Sequence, residues 1–153
     1  MTGTPTLAVE NLETHFFMKA GVAKAVDGVS FTVDKGEIMG LVGESGSGKT
    51  VTGFSIIGLV DPPGEIVGGK VLFKGEDIVG APEERMQKLR GDRIAMIFQD
   101  PMMTLNPVLR IDTQMIETVL AHEDVDKETA RQRSRDVLAQ VGIPAAEGRM
   151  KAY

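Results

Sequence analysis

The 153-residue chain has no cysteine and no tryptophan. Without thiols there are no disulfides, no thiolate metal sites and no cysteine nucleophile. Its two histidines, His15 and His122, stand too far apart in sequence for any local ligand spacing, so redox and zinc chemistry are not expected. Positive charge is also short: 17 Lys and Arg face 22 Asp and Glu, for a net charge of -5. That balance counts against bulk attraction to nucleic acid or to an anionic membrane surface, and no nucleic-acid partner is expected. Long apolar runs are missing too. The "FSIIGLV" region is the longest candidate and falls well short of the ~18 residues of a membrane span. The opening "MTGTPTLAVENLE" has no signal-peptide core, and the expected location is the cytoplasm.

What is present is ordinary globular material. Hydrophobic residues make up 42% of the chain and charged residues 25%, with a mean hydropathy of -0.03. This is enough for one domain with a real core. The first forty residues alternate apolar and polar positions, as in "TLAVENL" and "VSFTVD", with "KAG" and "DKGE" between them. That pattern predicts antiparallel strands. Ile38 to Val42 form a continuous apolar run, the pattern of a strand buried on both faces, and "KTVTGFSIIGLV" has helical length and ends before "DPPG". Further on, "GGKVLFKGEDIVG" predicts a hairpin, "PEERMQKLRG" a short polar helix and "RIAMIF" a second buried strand.

From about Asn106 the period becomes helical. Ile111, Met115, Ile116, Val119 and Leu120 share one face. A second helix is expected to start at Asp126 as N-cap, to carry Ala130, Ser134, Val137, Leu138 and Val141 on one face, and to stop at "GIP". The domain reading is therefore a β subdomain plus core over 1–100 and the start of a helical subdomain over 101–153. The chain ends in "GRMKAY" without a cap or a polar tail, which reads as a cut.

Between the predicted strand and helix stands "GESGSGKT", in which Gly43, Gly48, Lys49 and Thr50 fit the phosphate-loop spacing G-x-x-x-x-G-K-[ST]. Glycines let the backbone curl so that successive N–H groups from about Gly46 to Val51 point inward at a helix N-terminus, where the dipole also favours an anion. Lys49 can reach the β- and γ-phosphates, and the Thr50 hydroxyl can ligate Mg2+. The nucleotide contacts are thus expected along Gly43, Glu44, Ser45, Gly46, Ser47, Gly48, Lys49, Thr50 and Val51. Four such fixed positions arise by chance in roughly half a percent of chains this long, given ordinary residue frequencies. A phosphate loop alone does not choose among kinases, GTPases, helicases and transporters. The guanine-reading N-K-x-D is absent, and forty residues of β pattern precede the loop, unlike small-molecule kinases.

Two longer strings, "AVDGVSFTVDKGEIMGLVGESGSGKT" and "MIFQDPMMTLNP", narrow the choice. Through them the sequence resembles the ATP-binding subunits of ABC transporters, in the peptide (dipeptide/oligopeptide/nickel) importer branch. Met103 departs from that branch, which more often has a small polar residue there. The resemblance implies an α/β fold: a P-loop NTPase (RecA-like) core with an N-terminal antiparallel β subdomain and the start of a helical subdomain, truncated. It also implies ATP and Mg2+ as ligands, Phe16 as the aromatic that stacks on adenine, with Phe17 competing for that role, and Gln99 as a glutamine whose amide oxygen reaches Mg2+ or the attacking water. The region Met102 to Leu109 would line the groove for a membrane subunit. Implied partners are transmembrane permease subunits, a second ATP-binding subunit and, indirectly, an extracellular solute-binding protein. The implied place is the cytoplasmic face of the cell membrane.

Hydrolysis needs a carboxylate to hold Mg2+ through water and a group to position the nucleophile. In the family these follow an apolar strand ending in Asp-Glu. The acidic clusters here, "PEER", "HEDVDKE" and "AAEG", do not fit, and the family's "SGG" signature and switch histidine find no match. The chain is therefore expected to be the N-terminal half of an ATPase subunit, able to bind ATP without steady turnover. A nucleotide-binding module without turnover and a non-transport ABC ATPase remain as alternatives. In the family's sheet the strands corresponding to Ile38–Val42 and Arg93–Phe98 are not neighbours, so both are expected to lack ladder partners. "RGD" at Arg90 to Asp92 reads as a turn, Arg131, Arg133 and Arg135 as a solvated helix face, and the methionines as core filler.

Overall fold

In a computed structural model, which describes residues 3–99 and 104–153, the chain divides into two compact units, Met1–Arg90 and Gly91–Tyr153. The first is built on a four-stranded antiparallel sheet. Strands β1 (Leu7–Met18) and β2 (Gly21–Val33) form a hairpin through Lys19 and Ala20. Helix α1 (Lys49–Ile56) follows, then β3 (Gly64–Phe73) and the short β4 (Glu76–Asp77). The sheet order is β2-β1-β3-β4, so the most apolar strand, β1, is central. The turn between β3 and β4 is Lys74-Gly75, both at positive φ, the geometry that matches the strand twist of a two-residue hairpin.

The core of this unit lies between the sheet and the segments packed on one of its faces. Val9, Leu12 and Val71 are fully buried, with Ile57, Ile78, Met86 and Leu89 beside them. Met86 and Leu89 come from helix α2 (Glu83–Leu89). Helix α1 turns Thr52 and Ser55 inward. There the Ser55 hydroxyl donates to Val51 O at 2.7 Å, which commits its only proton, so the Thr14 hydroxyl donates to Ser55 Oγ at 2.7 Å. This buried bond ties α1 to the middle of β1. At the other end of α1, Arg90 donates from Nε to Ile57 O and from Nη2 to Gly58 O, covering carbonyls that the helix leaves without partners.

The second unit is helical: α3 (Ile111–His122), α4 (Lys127–Gln140) and α5 (Ala146–Met150). Asp126 caps α4 as expected, its carboxylate accepting from Thr129 N at 2.7 Å. That bond holds the Asp126 carboxyl below the usual range. Ile116, Ala130, Ser134 and Met150 make the small core. The predicted faces are only partly used, because Leu120, Val137 and Val141 stay exposed. Arg131 is not simply solvated: its guanidinium pairs with both Glu147 oxygens. Among the described residues no helix is long and apolar enough to cross a membrane.

Two predicted strands are not formed. Residues 38–42 and 93–98 have no strand pairing apart from an isolated bridge at Ile94. Far from being buried on both faces, Ile38 is 98% exposed, Val42 90% and Ile97 97%. The reason is that a strand exists only through its neighbours. The run 38–42, with no ladder partner, leaves its backbone groups to water and its side chains uncovered. The predicted helix over 49–60 is shorter than its apolar run, ending at Ile56 before Gly58 at positive φ. Met102 and Met103, and with them the start of the region Met102 to Leu109, lie outside the described residues.

Candidate nucleotide site

The candidate loop runs from Gly43 into the first turn of α1. Gly48 is the N-cap, with φ 86 and no side-chain cap. Two constraints fix a glycine there. The left-handed backbone suits no β-carbon, and a Cβ would stand 2.1 Å from Ala25 O, a separation no side chain tolerates. Ala25 lies where the β1–β2 register shifts, between the pairs Thr14–Val26 and His15–Lys24. The loop is therefore seated on an irregularity of β2. Because Gly48 brings no capping side chain, the first amides of α1 have no side-chain acceptor from their own cap, the arrangement that receives an anion.

Lys49 folds back over the loop. Its Nζ donates to Gly43 O at 2.8 Å, to Glu44 O at 2.7 Å and to Ser47 Oγ at 3.3 Å. The ammonium thus stands inside the curl of the loop, held by neutral acceptors. Ser45 and Gly46 form the exposed turn, Thr50 is exposed on the first turn of α1, and Val51 is half-buried behind it.

The two phenylalanines separate by face. Leu12, Thr14 and Phe16 alternate with Glu13, His15 and Phe17 along β1. Thr14 meets α1, so Phe16 shares the face that carries α1 and the loop, while Phe17 points away and is 46% exposed. Phe16 pairs with Gly64 of β3. A Cβ at Gly64 would lie 2.7 Å from Phe16 Cε1 and 2.7 Å from Val60 Cγ1, so the ring rests where a side chain is missing. Within the first unit the fold brings Phe16 and the loop Gly43–Val51 to one face of the sheet. Gln99 belongs to the second unit, exposed at a bend.

Sequence reasoning missed three supports of this site: the Ala25 carbonyl beneath Gly48, Gly64 beneath Phe16, and the Arg90 clamp on α1. Each depends on a contact across 20 or more residues, and the only local signal was the glycine itself.

The profile of the ABC transporter family matches residues 26–152. The chain is 43% identical over 147 residues to the dipeptide transport ATP-binding protein DppD of Escherichia coli (strain K12), covering 96% of this chain and 45% of that protein. It is 44% identical over 151 residues to the oligopeptide transport ATP-binding protein OppD of Bacillus subtilis (strain 168), covering 98% and 42%. The chain spans a little under half the length of these curated relatives. Among solved structures, the dimeric bacterial ABC transporter cassette MJ0796 aligns with a TM-score of 0.75 at 21% identity, over 87% of this chain and 56% of that one. A nucleotide-free ATP-binding cassette from an ABC transporter gives 0.61, also at 21% identity, over 91% and 55%. At such identity these likenesses establish the fold, the α/β fold of ABC ATPase cassettes. The family match does more: this chain belongs to the ABC transporter family.

Proposed function

We propose that this chain binds MgATP through Gly43–Val51 and Phe16, and that the whole protein is an ATP-binding subunit coupling ATP hydrolysis to import of peptides or a related solute. The observation that carries the reading is the posture of Lys49. Its ammonium is held inside a glycine loop at the uncapped start of α1, where phosphate oxygens can take over from the carbonyls as acceptors. Charge-assisted bonds to phosphate are stronger than those to neutral carbonyls, so the exchange favours the anion. The amides from Gly46 to Val51 would complete the cradle.

Mg2+ would be held by the Thr50 hydroxyl and the Gln99 amide oxygen, neutralising charge on the bound phosphates. Phe16 would stack on adenine. Support for peptide import comes from the 43–44% identical relatives, which are dipeptide and oligopeptide transport ATP-binding proteins, and support for a second ATP-binding subunit from the dimeric cassette of like fold. The remaining partners are transmembrane permease subunits and an extracellular solute-binding protein, with the subunit on the cytoplasmic face of the membrane.

Import is tested in vesicles carrying the whole protein with its permeases: labelled dipeptide should accumulate only with ATP inside, and accumulation without ATP would remove the coupling. Phe16 is tested by alanine. Phe16→Ala should weaken ATP roughly 10-fold, as loss of one base stack does, and leave inorganic triphosphate unaffected, whereas Phe17→Ala should change neither. Equal loss of both ligands on Phe16→Ala would remove the stacking role. The 153 residues contain no apolar run ending in Asp-Glu and no Ser-Gly-Gly, and we expect them to bind ATP without steady turnover. Phosphate release above a Lys49→Ala control at matched purity would reveal a base elsewhere.

A further inference from the structure

The face of the sheet turned away from α1 gathers three ligand-type side chains that the sequence keeps apart. Glu13 and His15 alternate with the inward Thr14 on β1, and Asp27 of β2 pairs with Glu13. A carboxylate oxygen from each acid and a ring nitrogen of His15 all lie within 4.8 Å of one another. Independently, Nε2 of His15 is buried and makes no hydrogen bond among the described residues. A buried polar nitrogen without a partner is an incomplete arrangement, and it marks the His15 imidazole as a group whose polar capacity is not used up within the fold. Space is available over Glu13: it pairs on its other side with Gly68 of β3, where even an added Cβ would come no nearer than 3.5 Å to the carboxylate.

We propose that Glu13, His15 and Asp27 form a binding site for a borderline divalent cation of the zinc type. One imidazole nitrogen and two carboxylate oxygens would be the protein ligands, with water completing the shell. The donor set selects the metal class. Imidazole suits zinc and its neighbours, whereas magnesium and calcium prefer all-oxygen shells. In tetrahedral zinc sites, ligand atoms stand about 3.4 Å apart, so the cluster needs to contract by little more than an ångström, which side-chain rotation supplies. The charge favours it as well. Two carboxylates crowd one imidazole, and the cation paired with them is Lys24, whose Nζ is 3.3 Å from Asp27 Oδ1 with both side chains more than half exposed. Such a pair is weak, and a divalent ion would replace it. The site lies on the opposite face of β1 from Thr14, Phe16 and the phosphate loop, so it requires no nucleotide. A cation there would clamp β1 to β2 on the strand that carries Phe16.

The test is a zinc titration of the full chain without nucleotide, in excess Mg2+, followed by calorimetry and by the NMR signals of the two histidine rings. The expected result is one zinc bound per chain at micromolar concentration, with the His15 ring signals shifted and those of His122 unmoved. His15→Ala and Asp27→Asn should each weaken zinc by an order of magnitude or more, and His122→Ala should leave it unchanged. Lys24→Gln should tighten it severalfold, a gain that damage to the fold does not produce. Absence of binding at micromolar zinc, unchanged affinity in His15→Ala, or equal losses in His15→Ala and His122→Ala would each overturn the proposal.

Discussion

Replacing Lys49 with alanine is expected to reduce ATP affinity by at least roughly 100-fold, because it removes the only cation the loop directs at the phosphates. Two charge-assisted hydrogen bonds, each worth about 1.5–3 kcal/mol, account for that factor at about 1.4 kcal/mol per tenfold. The substitution should leave the fold intact. The acceptors it releases, Gly43 O, Glu44 O and Ser47 Oγ, sit in a stretch that is solvent-exposed and can turn to water. Helix α1 keeps its own anchors, the Thr14–Ser55 bond and the Arg90 clamp. Circular dichroism should therefore match the unsubstituted chain while calorimetric binding disappears. Retained binding in Lys49→Ala would mean that the loop does not hold the phosphates.

The second large effect concerns the chain by itself. Ile38, Leu41, Val42 and Ile97 are exposed on segments without strand partners. Burying one such side chain is worth about 1.5–3 kcal/mol, so together they forgo an amount comparable to a typical domain's whole margin of about 5–15 kcal/mol. Unpaired apolar segments also template pairing with other chains. The purified chain is expected to bind a hydrophobic dye and to self-associate with rising concentration. Amides of residues 38–42 should exchange with solvent without protection, while those of β1, β2 and β3 exchange slowly. Ile38→Lys combined with Ile97→Lys should reduce both dye binding and association. A monodisperse monomer with a sharp cooperative melt and no dye signal would show that the two segments pair after all.

Those segments mark the limit of what the sequence can tell. Alternation made β1 and β2 legible because a half-exposed hairpin carries its own pattern and needs only its neighbour in sequence. The Asp126 cap was legible for the same reason: its partner, Thr129, is three residues away. The loop was legible because its spacing encodes a backbone curl. An apolar run such as Ile38–Val42, by contrast, records the need for partners without saying where they are. Helix α4 shows a related limit, since periodicity placed Val137 on the side of Ser134 but could not say that it would stay exposed, and Val141 falls beyond the last helical residue. The site supports were illegible for a geometric reason. Nothing in "DPPGEI" announces that Gly64 will lie under the Phe16 ring, and the register that joins Asp27 to Glu13 and His15 is set by hairpin pairing rather than by spacing.

The central claim is that the loop holds a chain of phosphates, and the most direct measurement is a calorimetric comparison of ATP with AMP on the same chain in Mg2+. Both nucleotides offer the same adenine to Phe16, and only ATP offers β- and γ-phosphates to Lys49. ATP should bind at least roughly 100-fold more tightly than AMP, the same factor that Lys49 is expected to contribute, and inorganic triphosphate should displace it. Equal affinities for ATP and AMP, with no displacement by triphosphate, would contradict the account.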